Sequence, residues 1–231
     1  LAGSEQAYES AFKQAGVIRA ASVEDLFDFS VAMARQPLPP DDRVVVITNA
    51  GGPGIMASDA LERSGLKLAA LSTQTMEALR QALPPAASVL NPVDVLGDAL
   101  ADRYRNALRL VSRAPEVDAI IVILTPQFMT QIKETARAIA ETADGTHVPV
   151  LVSFMGEAHT REGVQILTAH RVPNYPVPER AVSALKVMAD QRRWQERALP
   201  VFERFSADRE MITAVFQRVR ADGRVQMGDA E

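Results

Sequence analysis

Two short runs, 44–47 and 120–124, are apolar at every position. A strand with one wet face alternates in polarity. A strand apolar throughout needs cover on both faces, which a parallel sheet between two helix layers supplies. Around these runs the pattern alternates. Strands are expected at 43–48, 67–71, 118–124 and 148–154, with a weaker one near 172–176. Helical spacing lies between them. Leu61 marks the first helix, which Gly65 ends. Met76, Leu79 and Leu83 mark the second, behind Ser72 or Thr73. Tyr104, Ala107, Leu108 and Val111 mark the third, behind Asp98. Ile132, Ala136 and Ile139 mark the fourth, behind Thr130, and 161–169 gives a fifth. A long helix after Pro178 turns Val182, Leu185 and Ala189 inward. The expected architecture is α/β, a flavodoxin-like doubly wound parallel sheet of about five strands with extra N- and C-terminal helices.

Those extra helices flank the core. Ser4 can cap a helix with Tyr8, Ala11, Phe12 and Ala15 on one face, stopped by Gly16. Ser22 can cap a second, with Val23, Leu26, Phe27, Val31 and Ala34 on one face. The Pro-rich stretch 36–42 reads as a linker. Beyond Pro200 the chain is charged, from Glu203 and Arg204 to Arg224, with one amphipathic helix expected at 208–220 and a frayed end at 223–231. Three regions follow: 1–40, 41–200 and 201–231.

Composition narrows the function classes. With 47% hydrophobic and 23% charged residues over 231 positions, the chain reads as a soluble globular protein. A net charge of −4 argues against a nucleic-acid surface. The longest apolar run, six residues at 119–124, is too short to span a membrane. The chain has no cysteine, so disulfides and thiolate metal sites are excluded, and a reducing, cytoplasmic setting is expected. No spacing of histidine and carboxylate suits a metal, so no metal site is expected.

The chemistry-bearing feature is Asn49-Ala-Gly-Gly-Pro-Gly54, set between the first strand and the first helix. A glycine-rich turn into a helix leaves backbone N–H groups unpaired, a ready seat for an anion. The same glycines also serve a tight turn that binds nothing. On a doubly wound sheet, ligands bind beyond the carboxyl ends of the strands. Three loops leave those ends: 49–54, the Thr125-Pro-Gln-Phe-Met-Thr130 segment, and Met155-Gly-Glu-Ala-His159. Candidate phosphate-binding residues are Asn49, Gly51, Gly52, Gly54, Thr125, Gln127 and Thr130. Thr130 by itself reads more readily as a plain cap. Asn91, Asp94 and Asp98, in Asn91-Pro-Val-Asp-Val-Leu-Gly-Asp98, are expected to support the loops. The two carboxylates could also serve as acid–base groups or bind a magnesium ion. Of three histidines, His159 lies at the ligand edge, while His147 sits at a strand entrance and His170 ends a helix.

Taken in order, these segments resemble the NDP-forming acyl-CoA synthetases, the ADP-forming acetate–CoA ligases related to succinyl-CoA synthetase. The likeness rests on 49–65, Leu83-Pro-Pro-Ala-Ala-Ser88, 91–98, and Ile123-Leu-Thr-Pro-Gln127 with Met129-Thr130. The opening Leu1-Ala-Gly-Ser4 and Ala11-Phe-Lys-Gln-Ala-Gly-Val-Ile18 add to it. The resemblance implies a ligase interconverting acid, CoA and ATP with acyl-CoA, ADP and phosphate through acyl phosphate and a phosphorylated histidine. It implies that 1–40 ends a histidine-bearing domain, that 41–200 is a flavodoxin-like domain forming one side of the phosphate site, and that 201–231 leads toward an ATP-grasp domain. None of the three histidines sits in the family's Ser-His-Thr-Gly context, so no catalytic residue and no bound cofactor are expected in this chain. ATP/ADP, Mg, CoA and phosphate would belong to the full-length enzyme, and this stretch by itself is expected to be inactive. The expected partners are the histidine-bearing and ATP-grasp domains, of the same or a partner chain, and a homodimer is compatible. Two other readings stay open: a synthetase-like regulatory region of a protein lysine acetyltransferase, and a non-catalytic flavodoxin-like binding module.

Overall fold

The computed structural model describes residues 4–198 and 207–227. The expectations for Leu1 to Gly3, Pro200, Glu203, Arg204 and 228–231 lie outside them. Two compact units are present, Leu1–Glu196 and Arg197–Glu231.

In the first unit the strands are β1 (Arg43–Thr48), β2 (Lys67–Leu68), β3 (Val93–Asp94), β4 (Ala119–Leu124) and β5 (Val150–Phe154). The sheet is parallel, in the order β2-β1-β4-β5. One edge of β1 faces β4 along five paired residues. Its other edge is divided, with β2 against Arg43 and Val44 and β3 against Ile47 and Thr48. The doubly wound, flavodoxin-like expectation therefore holds, but the membership differs. β3 was expected as loop. Segment 172–176 is no strand; it makes a single bridge from Asn174 to Val152, and the next rung is lost because the Asn174 side chain, rather than the Tyr175 carbonyl, accepts from the Phe154 N–H at 2.9 Å.

The divided edge is joined by one side chain. The Asn91 amide accepts from Val46 N–H at 3.0 Å and donates to the carbonyls of Val44 at 2.7 Å and Ala69 at 3.1 Å. It stands in for the peptide group that a continuous strand would present there. The following Asn91–Pro92 bond is cis.

Helices cover both faces. On one lie α4 (Thr73–Ala82), α5 (Ala101–Val111), α6 (Ile132–Asp144) and α7 (Glu157–Ala169), burying Leu79, Tyr104, Leu108, Ile139 and Leu167 against Val45, Ile47, Ile120 and Val122. On the other lie α2 (Val23–Arg35), α3 (Gly51–Ser64) and α8 (Pro178–Glu196), with Phe29, Leu61, Leu185 and Met188 against Val44, Val46, Ile121 and Ile123. The apolar stripes expected for α5, α6 and α8 all face inward.

The first two helices depart from expectation. α1 (Glu5–Ala15) buries none of its residues, and Ser4 makes no side-chain cap bond. It is held at its end, where the Trp194 indole N–H donates to Lys13 O at 3.0 Å beside Gly16. In α2, Ser22 does cap, accepting from Asp25 N–H at 3.0 Å. Its inward residues, however, are Phe29 and Ala32, while Val23, Leu26 and Phe27 are exposed. Asp28, on the packed side, pairs with Arg180 at 2.6 and 2.8 Å. A carboxylate neutralised from a distant helix is invisible to hydrophobic periodicity. In the second unit, α9 (Arg209–Ala221) is capped by Asp208, which accepts from the N–H groups of Glu210 and Met211.

The start of α4 already holds an anion. Glu116 accepts from Ser72 N–H at 2.8 Å and from the Thr75 hydroxyl at 2.7 Å. Burial pushes this carboxyl up, but the bonds from Ser72 and Thr75 prevail and hold it at about 2, below its ordinary 4.5. A depressed folded-state value contributes stability above pH 4.5 that is lost as pH falls toward 2. Solvent reaches the group, so the expected contribution is about 1–2 kcal/mol. Urea titrations should show a Glu116→Gln variant less stable than the parent at pH 7, with the gap closing near pH 3. An undiminished gap at low pH would refute the linkage.

Candidate functional site

Chain direction reverses between β1 and β4: from β1 the chain winds out to β2 and β3, then returns to β4 on the other side. In such sheets the crevice at the reversal is where ligands sit. Here it is closed by a side-chain clamp. Asn49, only 2% exposed, donates its amide N–H to Thr125 O at 2.8 Å, and its Oδ1 accepts from Thr125 N–H at 2.8 Å and from the Thr125 hydroxyl at 3.1 Å. Asn49 and Thr125 thus add one rung to the β1–β4 ladder. Below the clamp, the buried Tyr104 hydroxyl donates to Ile123 O at 2.9 Å, and burial, with nearby Asp94, pushes it well above its ordinary value.

The glycine turn lies directly above. Thr48 Oγ1 accepts from Ala50 N–H at 3.0 Å and donates to Ala50 O at 2.9 Å, fixing the cap residue of α3. Gly51 and Gly52 are the first two helix residues, and their N–H groups have no acceptor within the helix. Pro53 has no N–H, and Gly54 N–H donates to Ala50 O at 3.2 Å. The three glycines differ in role. A Cβ at Gly51 or Gly52 would meet nothing within 4 Å, whereas one at Gly54 would meet Thr48 Cγ2 at 3.1 Å and then Pro92. Gly54 serves packing; Gly51 and Gly52 face open space.

Charge separates this helix start from its neighbours. Five helices follow the strands; α4, after β2, has no acidic residue in its first turn, but Glu116 already occupies its start. α5, α6 and α7 carry Asp102, Glu134 and Glu157 in their first turns, while α3 carries no acidic residue there. A helix start is worth roughly half a positive charge, so α3 offers the least opposed anion seat on this edge.

The β4 loop contributes differently from expectation. Thr130 does not cap α6; its hydroxyl accepts from Gln127 N–H at 2.8 Å and closes the turn, leaving Gln127 exposed. The cap position belongs to Gln131, whose side chain instead accepts from Ala101 N–H at 3.3 Å, at the start of α5. Asp98 does not cap α5 either. It pairs with Arg103 at 2.6 Å, a bond that lowers its pKa, and Arg103 also donates to Val95 O. Asp94 ties its own loop, accepting from Leu96 N–H at 2.8 Å, where Leu96 has φ +74°. Both carboxylates thus have partners within their own segment. His159 lies in the first turn of α7, and His170 sits 3.4 Å from Asp144. A cavity of about 640 Å³ beside β5 and α7, bordered by Phe154, Arg161, Gln165 and Asn174, holds none of the expected site residues.

Among the described residues no group of three or more histidines and carboxylates is arranged to hold a metal ion. Nor is any helix among them long and apolar enough to cross a membrane.

The family model described as the Ligase-CoA domain matches residues 44–201. The chain belongs to this Ligase-CoA domain family. An ADP-forming acetate–CoA ligase I of Archaeoglobus fulgidus is 38% identical over 188 residues, covering 81% of the chain and 26% of that protein. The alpha subunit of an ADP-forming acetate–CoA ligase II of Pyrococcus furiosus is also 38% identical, over 84% of the chain and 43% of the subunit. Among solved structures, a dinucleotide-forming acetyl-coenzyme A synthetase 1 of Ca. Korarchaeum cryptofilum, in complex with phosphate and ADP, superposes with a TM-score of 0.79 at 34% identity. That match covers 84% of the chain and 42% of the structure. The Ligase-CoA domain chain thus spans between a quarter and a half of each of these proteins.

Gln131 and Tyr104 were missed as parts of the edge. Tyr104 is legible only as a core position, and nothing in the local sequence marks Gln131 as the partner of a helix thirty residues earlier.

Proposed function

We propose that this chain is one domain of an ADP-forming acyl-CoA synthetase, in which the start of α3 forms one wall of the phosphate site. The ligase converts a carboxylic acid, CoA and ATP to acyl-CoA, ADP and phosphate, by way of an acyl phosphate and a phosphohistidine. The histidine, the CoA site and the ATP-grasp site, with its Mg, belong to the rest of the ligase, which works in the cytoplasm. The carrying observation is that α3 begins with two open amide donors and no first-turn carboxylate.

The role of this chain is electrostatic. A phosphoryl group in transfer needs positioning and charge stabilisation more than covalent help. Gly51 and Gly52 N–H donate to its oxygens, and Gln127, exposed on the β4 loop, is assigned as a side-chain donor. Thr130 holds that loop, and the Asn49–Thr125 clamp holds the two strand ends in register.

The test incubates the full-length ligase with ATP, CoA and short-chain carboxylic acids and follows the nucleotide product. Acid-dependent release of ADP and phosphate in step with acyl-CoA is the expected result. Release of AMP and pyrophosphate would refute the assignment. Transfer of an acetyl group from acetyl-CoA to protein lysines, with no ADP formed, would move it to a regulatory region.

A further inference from the structure

The cavity of about 640 Å³ beside β5 and α7 has no part in the function proposed above. Its volume lies within the about 300–1,000 Å³ typical of small-ligand sites. One face of α7 forms its long wall, where Glu157, Thr160, Arg161, Val164, Gln165 and Thr168 recur at helical spacing. The buried Phe154 ring lines it from the sheet, and Asn174 and Pro176 line it from the segment after α7. The cavity is held open by close packing behind it. A Cβ at Gly163 would meet Ile132 Cγ2 at 2.7 Å and Phe154 Cε2 at 2.9 Å, so α7 can move no nearer to α6 or to that ring.

The wall carries charges that the fold does not use. Glu157 and Arg161 stand one turn apart, a spacing that puts Cβ atoms about 5–6 Å from each other. Glutamate ahead of arginine is the favourable order for an ion pair there. Yet none joins them, and among the described residues neither has a charged partner. The neighbouring Glu162, by contrast, pairs with Lys133 at 2.9 Å. Asn174 Oδ1 is taken by Phe154 N–H at 2.9 Å, which leaves its amide nitrogen as a donor.

We infer that this cavity binds a free α-amino acid with an apolar side chain. Arg161 takes the carboxylate, Glu157 takes the ammonium group, and the side chain lies over Phe154, Val164 and Pro176. The charge pattern selects this class. A phosphate or a fatty acid brings negative charge alone and would face Glu157 one turn from Arg161. A purely apolar molecule would strip water from both charges and return no hydrogen bond. An α-amino acid carries its two opposite charges on adjacent atoms of one small frame. Each finds a match here, and the apolar remainder gains by leaving water. The site does not depend on the phosphate chemistry proposed above.

The experiment titrates the full-length protein with L-leucine and L-phenylalanine. Saturable one-site binding with Kd below about 1 mM is expected. Two probes each remove one charge: N-acetyl-leucine lacks the ammonium group and leucinamide lacks the carboxylate. Each should bind at least about tenfold more weakly than leucine. Arg161→Gln and Glu157→Gln, at exposed positions, should each weaken leucine about tenfold at an unchanged melting temperature. Saturable binding that neither substitution weakens would put the amino acid elsewhere and overturn the inference. N-acetyl-leucine binding as tightly as leucine would overturn it as well, since Glu157 then has no role. So would the absence of binding to either amino acid at about 10 mM, well above the expected Kd.

Discussion

Gly51→Val in the synthetase proposed above is expected to lower acyl-CoA formation about a hundredfold while leaving the fold intact. The two halves of this expectation rest on different observations. A Cβ at Gly51 meets nothing within 4 Å, so the larger side chain creates no clash within the domain. Valine does lower helix propensity relative to alanine, but glycine is a poorer helix former still, so the helix start loses nothing. What the isopropyl group does occupy is the space directly in front of the two open N–H groups. An oxyanion pushed back by even one ångström loses most of a charge-assisted hydrogen bond. Gly52→Val should behave alike. Gly54→Val is the contrasting control: its Cβ would press on Thr48 and Pro92, so it should destabilise the protein outright. Parental activity in both Gly51→Val and Gly52→Val would reduce the turn to architecture. Melting curves recorded beside the kinetics separate the two kinds of loss.

Asn91→Ala should cause the largest loss of stability among single truncations outside the apolar core. Its amide satisfies one backbone N–H and two carbonyls on the divided edge of the sheet. Truncation leaves Val46 N–H, Val44 O and Ala69 O to whatever water can reach them. At about 1–3 kcal/mol for each buried group left unmatched, and with partial relief by solvent, a loss of about 3–4 kcal/mol follows. For a chain of this size that is a fall of about 10 °C in the melting temperature. Asn91→Asp is the more searching variant, because a carboxylate still accepts from Val46 N–H but faces two carbonyl oxygens with nothing to donate. It should be at least as destabilised at neutral pH. A change below about 2 °C in both variants would show that the edge does not depend on this amide.

These two residues mark what could be read from the chain and what could not. β1 and β4 announce themselves through unbroken apolar runs, and α5 and α6 through stripes whose every expected core position is inward. β3 has two residues and no periodicity, and it pairs only because Thr48 and Ile47 offer it an edge. Asn91 looked like a loop residue, since its partners lie at least 22 positions away in sequence. Asn49 stood out as part of the glycine turn, and only the fold brings Thr125 within reach of it. The inward face of α2 carries Phe29 and Ala32 together with Asp28, whose pairing with Arg180 of α8 leaves no mark in hydrophobic periodicity. The glycine turn itself was legible, but the distinction between Gly54 and its two neighbours needed the position of Thr48.

The clamp of Asn49 on Thr125 has one more implication. With the strand tips laced together, nothing flat can slide between them, so any guest must perch on the rim instead of sinking in. A perch of two amides holds its guest briefly. Such a surface suits a hand-over point, where a tenacious grip would stall every cycle and a light one lets the cargo move on.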